Sequence, residues 1–405
     1  MNILKIYVRI LFSILIVFLV FTACRKKSDD SCPVCPVITG VSPDHGHYND
    51  TVIISGSNFG SNPSAATIKF NGKVVETVDI ISGNSSEIKV RVPLKCGTGP
   101  VSIALDADLF SDGGPTFTYE YNQVISVYAG VEGSSADPAS PVSLSSPQFY
   151  NPTQIKIDNS GSLAILDLWN SKVKRFDPAT QMFKTITGFT APAAIDIDKD
   201  NILYIARYDI GGSDICNIYK SVSGSTVSSS FRIFDKTSAG GNLISITLDD
   251  SLNTYVAIHS VFEWGFLLKV RPPLSPLGDT TILSQPVISS ICRKGQNVYM
   301  FCNIWTGSGY NPLLLRQNLS TLAIDTIVTT IHCNGVYGTA MALRGSQLYV
   351  ADSHSGQLYF VNSSSALVPA NPTVFTSIGG LAVDQTGDIY ISETGKHCIK
   401  KLSFE

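Results

Sequence analysis

Hydrophobic and polar positions alternate in short runs along the chain after residue 36, and each run ends at a cluster of Gly, Asn, Asp or Ser. Alternation of period two marks a strand with one buried face, and the clusters are turn signals. No long stretch after residue 24 carries apolar residues at helical spacing. Residues 379–405, "GGLAVDQTGDIYISETGKHCIKKLSFE", give three strands, at 381–383, 389–392 and 398–402. A sheet of three strands is marginal alone and leaves an edge open to pairing. A fourth strand has to come from elsewhere in the chain.

The same succession of strand, tight turn, strand, polar loop and strand recurs from residue 150 onward. It is clearest in "NPTQIKIDNSGSLAILDLWNSKVKRFD" and "APAAIDIDKDNILYIARYDIGGSDICNIYKS", and weaker in three copies between residues 242 and 362. A polar residue ends each second strand: Asp167, Arg207, His259, Asn303, Asp352 and Glu393, spaced 40 to 52 residues apart. Periods near forty residues with three or four strands per copy predict a β-propeller, here six-bladed and occupying residues 122–405. Residues 124–128 precede the first copy, which has no need of them. They are expected to pair beyond 398–402, completing the last blade and closing the ring.

Residues 36–121 read differently. Alternation at 51–55, 67–70, 87–92 and 101–104 is separated by Ser-Gly-Ser-Asn, Asn-Gly, Ser-Gly-Asn and Gly-Thr-Gly-Pro. Short strands at this spacing predict a β-sandwich. Val41-Ser42-Pro43, Gly46, Val52-x-Ile54-x-Gly56-x-Asn58-Phe59-Gly60 and Phe70-Asn71-Gly72 resemble the IPT/TIG immunoglobulin-like domain, with "VRVPLKCGTGPVSI" matching its closing strands and Asp50 where a second glycine is common. The propeller copies resemble NHL repeats. The last has Asp384-Gln-Thr-Gly387, a strand ending in Glu393, and Lys396-His397-Cys398-Ile399; the first has Asp158-Asn-Ser-Gly161, Asp167 and Asn170. The third and fourth copies depart most from that pattern. The chain is therefore expected to be all-β, an immunoglobulin-like β-sandwich followed by a six-bladed β-propeller. The resemblance implies that the sandwich is a spacer or interaction module.

Charged residues make up 15% of the chain, with net charge −3 and no run of one sign, which excludes a basic nucleic-acid surface. The first residues change the picture more. Lys5 and Arg9 precede an apolar run over 10–21 that ends in Phe21-Thr22-Ala23-Cys24. The run is too short for a permanent membrane span and suits a signal core. Small residues before a cysteine resemble the bacterial lipoprotein signal, which implies removal of residues 1–23 and lipidation of Cys24. Residues 24–35 then form a polar tether, whose charges resemble the surface-export signals of Bacteroidota-type lipoproteins. An outer-membrane or cell-surface location, reached through a lipid anchor, is expected. Eight further cysteines allow 105 pairings and the sequence chooses none. Cys32-Pro-Val-Cys35 reads as a local disulfide or two free thiols.

In a propeller the loops between second and third strands emerge on one face. Here they carry Trp169, Tyr208, Phe262 with Trp264, Trp305 with Tyr310, His354, and Gly395-Lys396-His397, including all three tryptophans of the chain. Aromatic rings set among Ser, Gly and Asn suit stacking on sugars or gripping an apolar partner. The alternative is that they fold back to fill gaps between blades. The polar ring of Asp167, Arg207, His259, Asn303, Asp352 and Glu393 can hold a divalent metal if it faces the channel, as in propeller lactonases and amidating lyases. Against this, the ring comes from second strands, Arg207 adds positive charge, and Asp at such a position caps a turn. Asp158, Asp198, Asp249 and Asp384 read as hairpin-turn residues. No nucleophile elbow, paired carboxylates or phosphate loop is present, so no catalytic residue, metal or cofactor is assigned. The expected function is non-catalytic binding of a polysaccharide or an envelope protein. A metal-dependent propeller hydrolase or lyase and an envelope assembly scaffold are the alternatives.

Overall fold

A computed structural model describes residues 35–62, 65–106, 109–111, 113–146, 148–207, 215–221, 226–227, 229–235, 241–260, 265–270, 283–285, 287–305, 310–328 and 339–405. The chain divides into two compact units, residues 1–121 and 122–405. Among the described residues no helix is long and apolar enough to cross a membrane. Residues 1–23, Cys24 and Cys32 lie outside the described residues. Cys35 is disulfide-bonded, while Cys96, Cys292, Cys302 and Cys398 are free and buried.

The first unit is an immunoglobulin-like sandwich. One sheet runs in the order Val37–Ser42, Thr51–Ser57, Glu87–Arg91, Ile80–Gly83. The other runs His45–Gly46, Thr116–Tyr119, Gly99–Ala104, Thr67–Phe70, Lys73–Val74. Period-two alternation turns Val52 and Ile54 from one sheet onto Ile68, Phe70, Val101 and Ile103 of the other, all at most 1% exposed. Phe70 and Phe117 meet edge to face, centroids 5.1 Å apart. A side chain on Gly56 would collide with the Val37 carbonyl, beside the irregular register between Ile38 and Gly40, so the close approach of the two strands requires glycine there.

The second unit is a six-bladed propeller. Blade 1 is Pro152–Ile157, Leu163–Asp167, Lys172–Asp177 and Met182–Ile186, with Val142–Ser143 added at its outer edge. Blade 2 is Pro192–Ile197, Leu203–Arg207, Ile215–Ser221 and Ser229–Asp235; blade 3 is Gly241–Leu248, Thr254–Ser260, Gly265–Val270 and Leu283–Gln285. Blade 4 is Val287–Lys294, Asn297–Trp305, Tyr310–Asn318 and Ile324–Val328; blade 5 is Thr339–Arg344, Gln347–Asp352, Gln357–Val361 and Leu367–Val374. Blade 6 joins Ile378–Val383, Ile389–Glu393 and Cys398–Phe404 to Gln123–Ala129. The last pairing is antiparallel, with Val124 opposite Ser403 and Ser126 opposite Lys401. The first strand of each blade touches that of the next, and blade 6 touches blade 1, so the ring is closed. Apolar side chains fill the seams, as where Ile155, Phe176, Tyr390 and Ile399 cluster between blades 6 and 1.

The hairpin between first and second strands repeats one device. The carboxylates of Asp158, Asp198, Asp249 and Asp384 each accept the backbone N–H groups two and four residues on, at 2.8–3.0 Å. Such a carboxylate holds the turn without help from the core. Blades 4 and 5 use two-residue turns instead, with Gly295 and Gly345 at φ +56 and +58 between the paired ends Lys294–Asn297 and Arg344–Gln347. That change of turn chemistry explains why the Asp-x-x-Gly signature is lost there.

Candidate functional site

Two features meet on the face where first strands begin and second strands end. The outer one is an aromatic ledge at the seam of blades 6 and 1. A single 3-10 turn, Leu168–Asn170, follows the second strand of blade 1 and closes at Ser171, whose φ is +53. The turn is pinned by backbone bonds from Leu168 N–H to the Asn151 carbonyl (3.3 Å) and from Trp169 N–H to the Tyr150 carbonyl (3.2 Å). Trp169 projects from it and is 59% exposed. Tyr150 stands edge to face with it, centroids 4.7 Å apart, and with His397 at 5.3 Å. His397 closes the equivalent turn of blade 6, Thr394–Lys396, and its Nδ1 accepts the Asn151 N–H at 3.3 Å.

Asp167, wholly buried, holds this ledge from beneath. Its carboxylate accepts Tyr150 N–H at 2.7 Å and Asn170 Nδ2 at 2.8 Å, and lies 3.2 Å from Lys174 Nζ. Burial opposes both charges, pushing the Asp167 carboxyl up and the Lys174 ammonium down against their mutual attraction. Lys174 is 1% exposed; it also donates to the Gln148 carbonyl and lies over the Phe149 ring. Blade 6 repeats the device: Glu393 accepts Thr376 N–H at 2.8 Å and pairs with Lys400 at 2.8 Å. In blade 5, Asp352 accepts His354 N–H (2.9 Å) and Ser355 Oγ (2.7 Å).

These contacts turn the polar ring away from the role of a metal cage. None of its members with a described side chain lines the channel, because a second strand lies one place out from the axis, and the carboxylates of Asp167, Asp352 and Glu393 are taken up by neighbouring loops. Asn303 is buried and Arg207 half-buried; the His259 side chain lies outside the described residues. Among the described residues no group of three or more His, Cys, Asp or Glu is placed to hold a metal. Of the aromatic candidates, Tyr208, Phe262 and Trp264 lie outside the described residues. Trp305 and Tyr310 are cross-strand partners at the end of a blade 4 hairpin, their side chains outside the described set. His354 is exposed, its backbone N–H bonded to Asp352. The structure thus assembles Trp169 with Tyr150 and His397.

The inner feature is the channel, a cavity of about 330 Å³. Asn151, Ser353, Ser377 and Thr394 stand at its mouth, on the side of the ledge. Thr153, Ser245 and Ser290 line its wall, and Lys156 lies deeper, its Nζ 3.2 Å from Asp196. Asp196 also accepts Leu248 N–H at 2.9 Å. Gln154 spans three first strands: Nε2 donates to the carbonyls of Ala193 (3.3 Å) and Ile244 (3.2 Å), and Oε1 accepts Ile195 N–H (3.0 Å). Beside Thr153, Gly379 and Gly380 let blade 6 press against blade 1. A Cβ on Gly379 would lie 2.8 Å from Thr153 Cα, and one on Gly380 2.8 Å from the Ile155 nitrogen. Sequence reading alone passed over this wall. Its signal is positional: Gln154, Ser245 and Gly380 all stand four residues before a hairpin aspartate, and Lys156 and Asp196 stand two before.

With this geometry in hand, the chain can be set beside known proteins. Residues 36–119 match the IPT/TIG domain, and residues 375–402 match the NHL repeat. No curated protein matches the chain. Among solved structures, an auxiliary nutrient binding protein from Bacteroides ovatus is 12% identical, with 92% of this chain and 98% of that one covered and a TM-score of 0.59. A structural genomics protein of unknown function from Bacteroides thetaiotaomicron is 16% identical over the same shares, with a TM-score of 0.57. A second auxiliary nutrient binding protein, also from Bacteroides thetaiotaomicron, is 12% identical, with 92% and 98% covered and a TM-score of 0.53. At these identities the likeness is one of fold, and it spans both the sandwich and the propeller.

Proposed function

We propose that this protein is a non-catalytic binding protein of the cell surface, anchored by a lipid on Cys24, whose propeller face recognises a glycan. The observation that carries the reading is the ledge. Trp169 is 59% exposed on a backbone-pinned turn, with Tyr150 and His397 packed edge-on against it. An indole held open to solvent gives a flat apolar platform of the kind on which the C–H faces of sugar rings stack. The turn and the buried Asp167 fix that platform before any ligand arrives, which lowers the ordering cost of binding. Two Bacteroides proteins of this fold bear the name auxiliary nutrient binding protein, which supports a binding role. The apolar run before Cys24 and the polar stretch after it support the lipid anchor, and the sandwich then serves as a spacer.

The test is a titration of the chain from Arg25 onward with a panel of plant and host polysaccharides, followed by tryptophan fluorescence and by calorimetry. Saturable quenching that Trp169→Ala abolishes, with unchanged thermal unfolding, is the expected result. No response to any polysaccharide would overturn the glycan reading.

A further inference from the structure

We infer that the channel is itself a subsite, built to take one neutral, polyhydroxylated sugar unit from the end of a glycan whose next unit lies on the aromatic ledge. The inference rests on the glycan-binding reading and extends it inward. It begins from the chemistry of the wall. Among the described residues that line the cavity, Lys156 alone is charged, and Asp196 neutralises it at 3.2 Å. A neutral cavity stabilises neither a phosphate nor a free cation against the loss of its water. What the wall offers instead is hydroxyl groups. Those of Thr153, Ser245 and Ser290 take part in no side-chain hydrogen bond with the described residues, although Ser290 is only 8% exposed. Each can both donate and accept, as a sugar hydroxyl does. Gly379 and Gly380 bare a stretch of backbone beside Thr153.

Size and position agree with this chemistry. About 330 Å³ lies at the lower end of the range, roughly 300–1,000 Å³, that small-molecule sites occupy. The mouth and the ledge share a residue: Asn151 lines the cavity while its N–H is bonded to His397 of the ledge. A chain of sugars stacked on Trp169 and Tyr150 therefore ends beside the opening. The wall is also rigid. Gln154 ties the first strands of blades 1, 2 and 3 together, and the two glycines lock blade 6 to blade 1. Such a pocket accepts chain ends and excludes chain interiors, so the protein would count glycan termini.

The experiment compares cellohexaose, laminarihexaose, mannohexaose and a galacturonate hexamer by calorimetry. The proteins are the wild type, Trp169→Ala, Ser245→Val/Ser290→Val, and Ser245→Cys before and after treatment with methyl methanethiosulfonate. The cysteine variant is blocked only after it has folded, so a packing defect in the double variant does not decide the question. We expect one neutral hexamer to bind, with Kd raised at least tenfold by the double variant and by the blocked cysteine, and equally by Trp169→Ala. Binding lost in Trp169→Ala but unchanged in both channel variants would overturn the subsite and leave the ledge standing. Binding of the galacturonate alone would overturn a neutral ligand. Binding of no hexamer would overturn the subsite, and only the polysaccharide panel would then bear on the ledge.

Discussion

Gln154 and Asp158 lie four residues apart in one strand and its turn, and they do different work for the ring. Gln154 supplies three hydrogen bonds to backbone groups of two other blades. Gln154→Leu keeps the bulk and strands those groups, so it should lower unfolding free energy by about 1–3 kcal/mol in urea titrations. Asp158 binds its own turn and also Arg175 (2.6 Å), which in turn donates to the Asn201 carbonyl of blade 2 (2.9 Å). Burial pushes the Asp158 carboxyl up, but the bonds from Ser160, Arg175 and the Ser162 amide outweigh it and hold the group below its ordinary 3.8. A carboxyl depressed in the folded state binds its proton more readily in the unfolded chain, so its stabilisation is complete above about pH 4 and drains away as pH falls through the folded value. Wild-type protein should therefore lose stability more steeply below pH 4 than Asp158→Asn, as followed by thermal unfolding at a series of pH values. Asp158 was legible as a turn residue because Asp-x-x-Gly is a local signal. Gln154 was not, because its partners lie 39 and 90 residues away in sequence.

Among whole elements, the second strand is where sequence pattern stops being informative. Leu163–Asp167 and Ile389–Glu393 are buried at every position. A strand covered on both faces loses the alternation that would show which way its last residue points. The polar ring was therefore visible as a period but not as a direction. Its carboxylates instead organise the neighbouring loops, and two of the three do so with a lysine one strand further out: Lys174 for Asp167 and Lys400 for Glu393. Both pairs are buried at the acid, and the lysine of blade 1 is buried as well. Removing one partner of such a pair is worse than removing both, because it leaves an uncompensated charge. Lys174→Met should thus destabilise by about 3–5 kcal/mol, and adding Asp167→Asn should recover part of that loss in denaturant titrations. The same double variant loosens Tyr150 and the Trp169 turn, so any ligand bound at the ledge should be held more weakly even where the fold is restored. Recovery of stability together with full ligand affinity would show that Asp167 does not position the ledge.

Across the whole propeller, closure is the feature on which the rest depends, and it is made by strands whose facing residues lie from 270 (Ala129 and Ile399) to 281 (Gln123 and Phe404) positions apart in sequence. Gln123–Ala129 covers the edge of Cys398–Phe404, and Ile125 packs on the cluster holding Leu402 and Phe404. The stretch from Gly379 to Glu405 demands this strand, since its three strands leave an edge unpaired. Only the ring of first strands shows what closure achieves. With blade 6 complete, Gly379 and Gly380 are pressed on Thr153 and Gln154, and the mouth of the channel and the ledge come to share Asn151. Ile125→Asp puts a charge into that seam in the full-length chain. It should lower the melting temperature of the propeller and raise hydrogen exchange first along Cys398–Phe404, then at Asn151–Ile157, while the amides of Thr51–Ser57 in the sandwich keep their protection. Exchange that rises evenly over all six blades would mean instead that the ring opens as one unit with no weakest seam. Protection of Cys398–Phe404 that is unchanged would show that the blades hold together without the closing strand, and the channel would then owe its shape to the inner strands alone.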